Sequence, residues 1–155
     1  MVDKIFYSNN DMKTDLLDII RQIEGAKFKP TCILGIARGG VIPATLLSEW
    51  YNCPLYTYHL SFRDHTNATS NKDVYEIIKN KNYSPLVVDD ICDSGLTLKT
   101  IANEMSSYMI YPRFAVLINN LGQNVFEPDF TGREINKSEN DTWIDYYYET
   151  WWKHE

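Results

Sequence analysis

One segment, Val87-Val-Asp-Asp-Ile-Cys-Asp-Ser-Gly-Leu-Thr-Leu98, constrains the chain more than any other. It begins as a short apolar run and ends in paired acids. A third acid, a hydroxyl and a glycine follow, and apolar residues then recur at helical spacing through Leu98, Ile101, Ala102 and Met105. The period therefore changes from that of a buried strand to that of a helix within a few residues. A strand–turn–helix unit of this kind buries its apolar surfaces only in a sheet with helices packed on its faces.

The rest of the chain repeats the alternation. Residues 4–7 read as a short strand. Residues 10–24 read as a helix, with Met12, Leu16, Ile19, Ile20 and Ile23 on one stripe and Asn9, Asn10 or Asp11 as candidate caps. Residues 31–36 form a buried strand that Gly39-Gly40 ends. Pro43 is placed to open a second helix, with Leu46, Leu47 and Trp50 expected inward. Residues 54–60 alternate as a strand, 63–72 are a polar loop, and 74–79 are helical. Residues 85–88 form a buried strand ending at Asp89-Asp90, 96–109 a helix and 113–118 the next strand. From Gly122 the chain is expected to be irregular until an aromatic-rich segment, 141–152. The near-continuous apolar strands predict an α/β domain on a mostly parallel central sheet flanked by helices. Ligands of such folds bind outside the carboxyl ends of the strands, where both glycine turns fall.

A chain of 155 residues with 44% hydrophobic content suits one domain, 1–155, with one core. Its net charge of −6 and pI near 5.0 exclude non-specific nucleic-acid binding, which needs clustered Lys and Arg. No apolar run approaches the roughly 20 residues of a membrane span. The start lacks the basic and apolar regions of a signal peptide. Cys32, Cys53 and Cys92 form no CxxC pair, and His59, His65 and His154 lack metal-ligand spacing. A reducing, cytoplasmic setting is the expectation.

At the head of the helix after Asp93, backbone N–H groups make an anion site. Gly95 lets the backbone approach, and Ser94 and Thr97 add hydroxyls. Asp89 and Asp90 would repel a phosphate but suit ribose hydroxyls or Mg²⁺. One turn thus offers a phosphate cup beside a diol and metal site. Neither GxxxxGK[ST] nor GxGxxG occurs, which disfavours nucleoside-triphosphatase and dinucleotide-binding readings.

The segment resembles the signature with which type I phosphoribosyltransferases bind 5-phosphoribosyl-1-diphosphate (PRPP): two hydrophobics, two acids, two variable residues, Asp, Ser/Thr, Gly, one variable residue, Ser/Thr. Ile33-Leu-Gly-Ile-Ala-Arg-Gly-Gly-Val-Ile-Pro-Ala44 resembles the family's diphosphate loop. Asn140-Asp-Thr-Trp-Ile-Asp-Tyr-Tyr-Tyr-Glu149 resembles the end of the 6-oxopurine enzymes, most closely the short bacterial xanthine-guanine type. The resemblance implies a Mg²⁺-dependent glycosyltransferase of the pentosyltransferase class. It would convert PRPP and a purine base, with guanine, xanthine or hypoxanthine favoured, to the nucleoside 5′-monophosphate and diphosphate in purine salvage. It also implies a homo-oligomer and a small base-binding hood over residues 122–155.

Residue by residue, the resemblance assigns PRPP binding to Arg38, Gly39, Asp89, Asp90, Asp93, Ser94, Gly95, Leu96 and Thr97. Asp93 would be catalytic, facing the purine N7 and handling its proton. Asn120, Trp143 and Ile144 would bind the base, and Asp90, Asp89 and Glu149 would meet the metal. The competing reading makes Trp143, Tyr146 to Tyr148, Trp151 and Trp152 core or subunit interface, and it is favoured for Trp151 and Trp152. Cys92 reads as a packed strand-end residue.

Two departures stand out. The family ends the strand after the PRPP motif with a lysine that donates to the purine 6-oxo group, and Asn120 falls at that place. An amide can donate or accept, so a different acceptor base is an open alternative. Residues 63–83 hold no clear counterpart of the family's basic diphosphate contact, Lys72 being the candidate. A PRPP-binding regulator without activity is the second alternative. The retained Asp93 and the lack of a basic patch weigh against it.

Overall fold

The structure is a computed structural model that describes residues 2–60, 71–122 and 124–153. In chain order the elements are β1 (Asp3–Tyr7), α1 (Asn9–Gly25), β2 (Cys32–Ile36), α2 (Val41–Tyr51), β3 (Leu55–Tyr58) and α3 (Asn71–Asn80). They continue with β4 (Pro85–Cys92), α4 (Leu96–Ser107), β5 (Arg113–Asn120), β6 (Phe130–Ile135), β7 (Thr142–Tyr146) and a single 3-10 turn at Trp151–Lys153. Five strands form one parallel sheet in the order β3-β2-β4-β5-β6, and β1 pairs with β7, also in parallel.

The strand order reverses between β2 and β4. The chain steps from β2 outward to β3 and then crosses back to β4 on the other side of β2. The turns after β2 and β4 therefore open away from each other and leave a crevice, which is where parallel sheets bind ligands.

The period-2 alternation of the central strands builds two cores. Ile33, Leu86, Val88, Ala115 and Leu117 face one side, under Met12, Leu16, Ile19, Ile20 and Ile23 of α1 and Ala44 and Leu47 of α2. Cys32, Leu34, Val87, Phe114 and Val116 face the other, under Tyr75 and Ile78 of α3 and Leu98, Ile101 and Met105 of α4. Each strand is covered on both faces, which explains why its sequence is apolar throughout.

Several elements differ from the sequence expectation. Ser8, not a residue at 9–11, caps α1. Its hydroxyl accepts from Asp11 N at 3.0 Å and the Asp11 carboxylate accepts from Ser8 N at 2.9 Å, a reciprocal capping box. Helix α2 starts at Val41, and its buried stripe is Pro43, Ala44, Leu47 and Ser48. Leu47 is inward as expected, but Leu46 and Trp50 lie off that stripe and are 45% and 56% exposed. Strand β4 runs through the two acids to Cys92, because β5 continues to pair with it (Asp89↔Val116, Cys92↔Asn119). The stretch after Gly122 contains β6, an edge strand on β5. Its residues, Phe-Thr-Gly-Arg-Glu-Ile, alternate too weakly to announce a strand. Arg133 of β6 holds α1 through Asp15 (2.8 Å) and Asp11 (3.4 Å). Residues 122–153 thus divide between an added strand of the main sheet and β7, whose partner is the N-terminal β1. Of the expected polar loop 63–72, residues 63–70 lie outside the described residues, and Asn71 and Lys72 begin α3. Among the described residues no helix is long and apolar enough to cross a membrane.

Candidate functional site

The crevice between β2 and β4 brings together the two glycine turns singled out in the sequence. After β2 the backbone turns through Ala37–Gly40, where the Ala37–Arg38 peptide is cis. Ala37 N donates to Tyr58 O at 2.9 Å, and Gly40 N to Ile36 O at 2.9 Å. This turn lies directly on the tip of β4. A first side-chain carbon at Gly39 would fall 2.1 Å from Asp90 Oδ2, and one at Gly40 2.3 Å from Val88 O. Only glycine lets these two loops touch. Arg38, beside them, is exposed.

Asp89 and Asp90 are half-buried. Loss of water raises the Asp89 carboxyl well above the ordinary carboxylate range, and the neighbouring Asp90 charge adds to the rise. Burial also raises Asp90, while hydrogen bonds from Asp89, the Ile91 N–H and the Tyr148 hydroxyl hold it back. Glu149 is exposed, yet it is raised by partial burial first and then by Asp90 and Asp145, with Arg38 opposing. The acids at 89, 90 and 149 and the cation at 38 thus share one field.

This oxygen donor set suits a hard divalent cation. Crowded carboxylates whose charged forms are disfavoured by burial are relieved by positive charge beside them. Among the described residues no three carboxylate, histidine or cysteine side chains converge as a closed metal cage.

The turn after β4 forms the cup. Gly95 has φ +83°, and a side chain there would also meet Asn124 Oδ1 at 2.5 Å and Phe126 N at 2.8 Å. The segment Asn124–Phe126 packs over the turn: Val125 N donates to Ser94 O at 2.8 Å, and Asn124 Nδ2 to Asn119 Oδ1 at 2.7 Å. Helix α4 starts at Leu96, so the N–H groups of Leu96, Thr97 and Leu98 have no intrahelical acceptor. The Ser94 hydroxyl reaches Leu96 N only at 3.3 Å. Asp93 and Ser94 are exposed at the rim. Cys92 points into the core, and burial pushes its thiol up to about 11.

Asp93 is held from the far side. Asn120 Nδ2 donates to Asp93 Oδ1 at 3.0 Å, and Lys137 Nζ lies 3.2 Å from the same oxygen. Asn120 is 5% exposed, and its amide oxygen accepts from Gly122 N (3.1 Å) and Lys137 N (3.0 Å). In β7, Thr142, Ile144 and Tyr146 face inward, whereas Trp143 is 57% exposed. Lys72 lies exposed in the first turn of α3. Trp151 and Trp152 are 68% and 65% exposed and are not core of this chain.

Sequence reasoning missed four contributors: Tyr146, Tyr148, Lys137 and Asn124. Tyr146 donates to Asp90 O at 3.2 Å, and the Tyr148 hydroxyl lies 3.3 Å from Asp90 Oδ2 and 3.4 Å from Gly39 O. Their signal was parity: residues two apart from Ile144 continue its inward face. Lys137 and Asn124 gave no local signal, because they arrive from connections that carry no motif.

The fold and these loops define a parallel α/β domain with its ligand loops meeting at the switch point. The family model of the phosphoribosyl transferase domain matches residues 4–149, and the chain belongs to that family. Among solved structures it is similar to a hypothetical protein from Neisseria gonorrhoeae with bound ppGpp (24% identity, 96% of this chain and 90% of that one, TM-score 0.79). It is also similar to the xanthine-guanine-hypoxanthine phosphoribosyltransferase of Helicobacter pylori (20%, 99% and 97%, 0.77). A third is a purine phosphoribosyltransferase from Pyrococcus horikoshii (22%, 96% and 95%, 0.72). No curated protein matches the chain by sequence.

Proposed function

We propose that the protein transfers the 5-phosphoribosyl group of PRPP to a purine base, yielding the nucleoside 5′-monophosphate and diphosphate. The observation that carries this reading is the contact of Gly39 with Asp90, which sets a backbone anion loop against an acid pair beside a phosphate cup. Two structural neighbours bear the names of purine-using enzymes of the same family, which supports the choice of acceptor.

In the proposed complex the turn Ser94–Thr97 grips the 5-phosphate with the free N–H groups of α4 and the two hydroxyls. Asp89 and Asp90 accept hydrogen bonds from the ribose hydroxyls. The backbone of Arg38 and Gly39 and the Arg38 guanidinium face the diphosphate. Asp90, with Asp89 and Glu149 nearby, would hold Mg²⁺, which would supply positive charge against the diphosphate when bound. The bond from the anomeric carbon to the diphosphate oxygen breaks with its electron pair leaving on oxygen, and a base nitrogen closes onto that carbon. Asp93 accepts the proton at N7. Trp143 stacks on the purine, the Ile144 carbonyl meets its 2-position, and Asn120 braces Asp93 at the edge of the base site.

The test is direct. Protein, PRPP and Mg²⁺ are mixed with a panel of nucleobases and diphosphate release is followed. Turnover with purines is expected, and diphosphate release with pyrimidines alone would overturn the choice of acceptor.

A further inference from the structure

We infer that Lys137, on the connection between β6 and β7, selects the substituent at the 6-position of the base. This inference rests on the placement of Asp93 at the purine N7 proposed above and adds the residue that reads the neighbouring atom.

The geometry begins at Asn120. Its oxygen accepts from Gly122 N and Lys137 N, and its Nδ2 donates to Asp93. With its oxygen bonded to two backbone donors and one N–H on Asp93, this buried amide acts as a bracket rather than as the reader of the base. What it fixes is the segment that carries Lys137. Leu121 N also donates to Ile135 O at 2.8 Å, so residues 120–122 and 135–137 are joined side by side. The turn after them is closed by Asn140 N and Glu139 N, each donating to Asn136 O at 3.2 Å. From this frame Lys137 Nζ reaches to 3.2 Å from Asp93 Oδ1. The Asp93 side chain is 56% exposed and that of Lys137 22% exposed. The carboxylate is thus open to solvent, with an ammonium next to one of its oxygens.

The chemistry of a purine fits this pair. N7 and the 6-substituent lie side by side on one edge of the ring. In guanine the 6-substituent is an acceptor oxygen, and in adenine it is a donor amino group. A base that gives its N7 proton to Asp93 places the 6-substituent beside Lys137. The lysine ammonium has three donors and no acceptor. It therefore bonds a 6-oxo group and opposes a 6-amino group. Acid and ammonium together match the donor–acceptor edge of a 6-oxopurine bearing hydrogen on N7, and they mismatch adenine at one atom.

Solvent screens the Lys137–Asp93 pair at the Asp93 end, whose side chain is 56% exposed, so its loss is expected to cost little stability and not to unfold the protein. Steady-state kinetics of Lys137→Met and Lys137→Arg with hypoxanthine and with adenine test the inference, with melting temperature and the KM for PRPP measured alongside. Lys137→Met is expected to lower the ratio of kcat/KM for hypoxanthine over adenine by about 10- to 100-fold, the scale of one hydrogen bond from a charged donor. Melting temperature and the KM for PRPP should hold, and Lys137→Arg should retain most of the ratio. An unchanged ratio in Lys137→Met, in a protein that does use purines, overturns the role of Lys137 and leaves the proposed reaction standing. A protein that turns over no purine at all overturns the reaction and this inference with it.

Discussion

The carboxylate of Asp90 lies so close to Gly39 that a single added carbon at that glycine would sit 2.1 Å from Asp90 Oδ2. The neighbour is not the free end of a long side chain. Asp90 is bonded by Ile91 N at 2.8 Å and approached by Tyr148 at 3.3 Å. Gly39→Ala should therefore push the two loops apart. The expected outcome is a loss of PRPP binding by isothermal calorimetry larger than the loss of melting temperature, since the loop carries no core side chain.

The acid pair gives a second prediction. Both carboxyls are raised in the folded protein above their ordinary value, so the folded state takes up their protons more readily than the unfolded chain. Their ionisation therefore costs stability at pH 7, and the cost fades as pH falls through their raised pKa values. The double variant Asp89→Asn/Asp90→Asn should melt higher than the parent at pH 7 without ligand, with a flatter pH profile. PRPP with Mg²⁺ at 100 times its Kd should stabilise the parent by about 2.7 kcal/mol. That shift should be largely absent in the variant, and absent from the parent when Mg²⁺ is chelated. No shift in the parent at saturating PRPP and Mg²⁺ would remove the basis of the site.

The parallel α/β architecture, both loops and the acid tip of β4 were legible in the sequence because they are local. A strand buried on both faces is apolar throughout, and the turn after it needs glycine at fixed places. What was not legible depends on distant segments. The bonds that tie Asn120 to Lys137 and Asp93 join segments far apart in the chain, so no local pattern announces them. Leu46 and Trp50 read as inward until the start of α2 fixes which stripe meets the sheet. Strand β6 has only one neighbouring strand and a polar composition, so no periodic signal marks it.

The three thiols should separate by burial. Desolvation pushes Cys32 up to about 12 and Cys92 up to about 11, and raises the half-buried Cys53 less far. At pH 8 the thiolate fraction of Cys92 is on the order of 10⁻³. Alkylation of the native protein followed by mass spectrometry should label Cys53 first, and Cys32 and Cys92 only on denaturation. Rapid labelling of Cys92 in the folded state would contradict its place in the core.

Asp93 is the proposed proton acceptor, and its replacement separates an enzyme from a PRPP-binding protein without activity. Asp93→Asn keeps the shape and one acceptor oxygen for Asn120, but removes the basic group and the charge that faces Lys137. Turnover should fall by about 10²–10⁴-fold, the usual contribution of one acid–base group. The affinity for PRPP should change much less, because the phosphate cup at Ser94–Thr97 is built from other atoms. Full turnover in the variant would remove Asp93 from the mechanism.

Trp143 alternates outward in a strand whose other side is buried. It stands 57% exposed between Thr142 and Ile144, which are 8% and 6% exposed. A large aromatic surface facing water from a rigid strand is what a planar base needs, and it costs little stability to remove. β7 is fixed by its ladder to β1, in which Lys4 pairs with Trp143 and Ile5 with Ile144. Trp143→Ala should thus leave the fold intact and lose only the stacking contact, on the order of 1–3 kcal/mol by the measure of aromatic–base stacks elsewhere. The KM for the base should rise by about 5- to 150-fold while the Kd for PRPP holds, and Trp143→Phe should recover part of the loss. If the alanine variant keeps the parent KM for base, Trp143 lies outside the base pocket. Its exposed face would then belong to contact with another protein surface, which sedimentation of parent and variant would reveal as a change of mass.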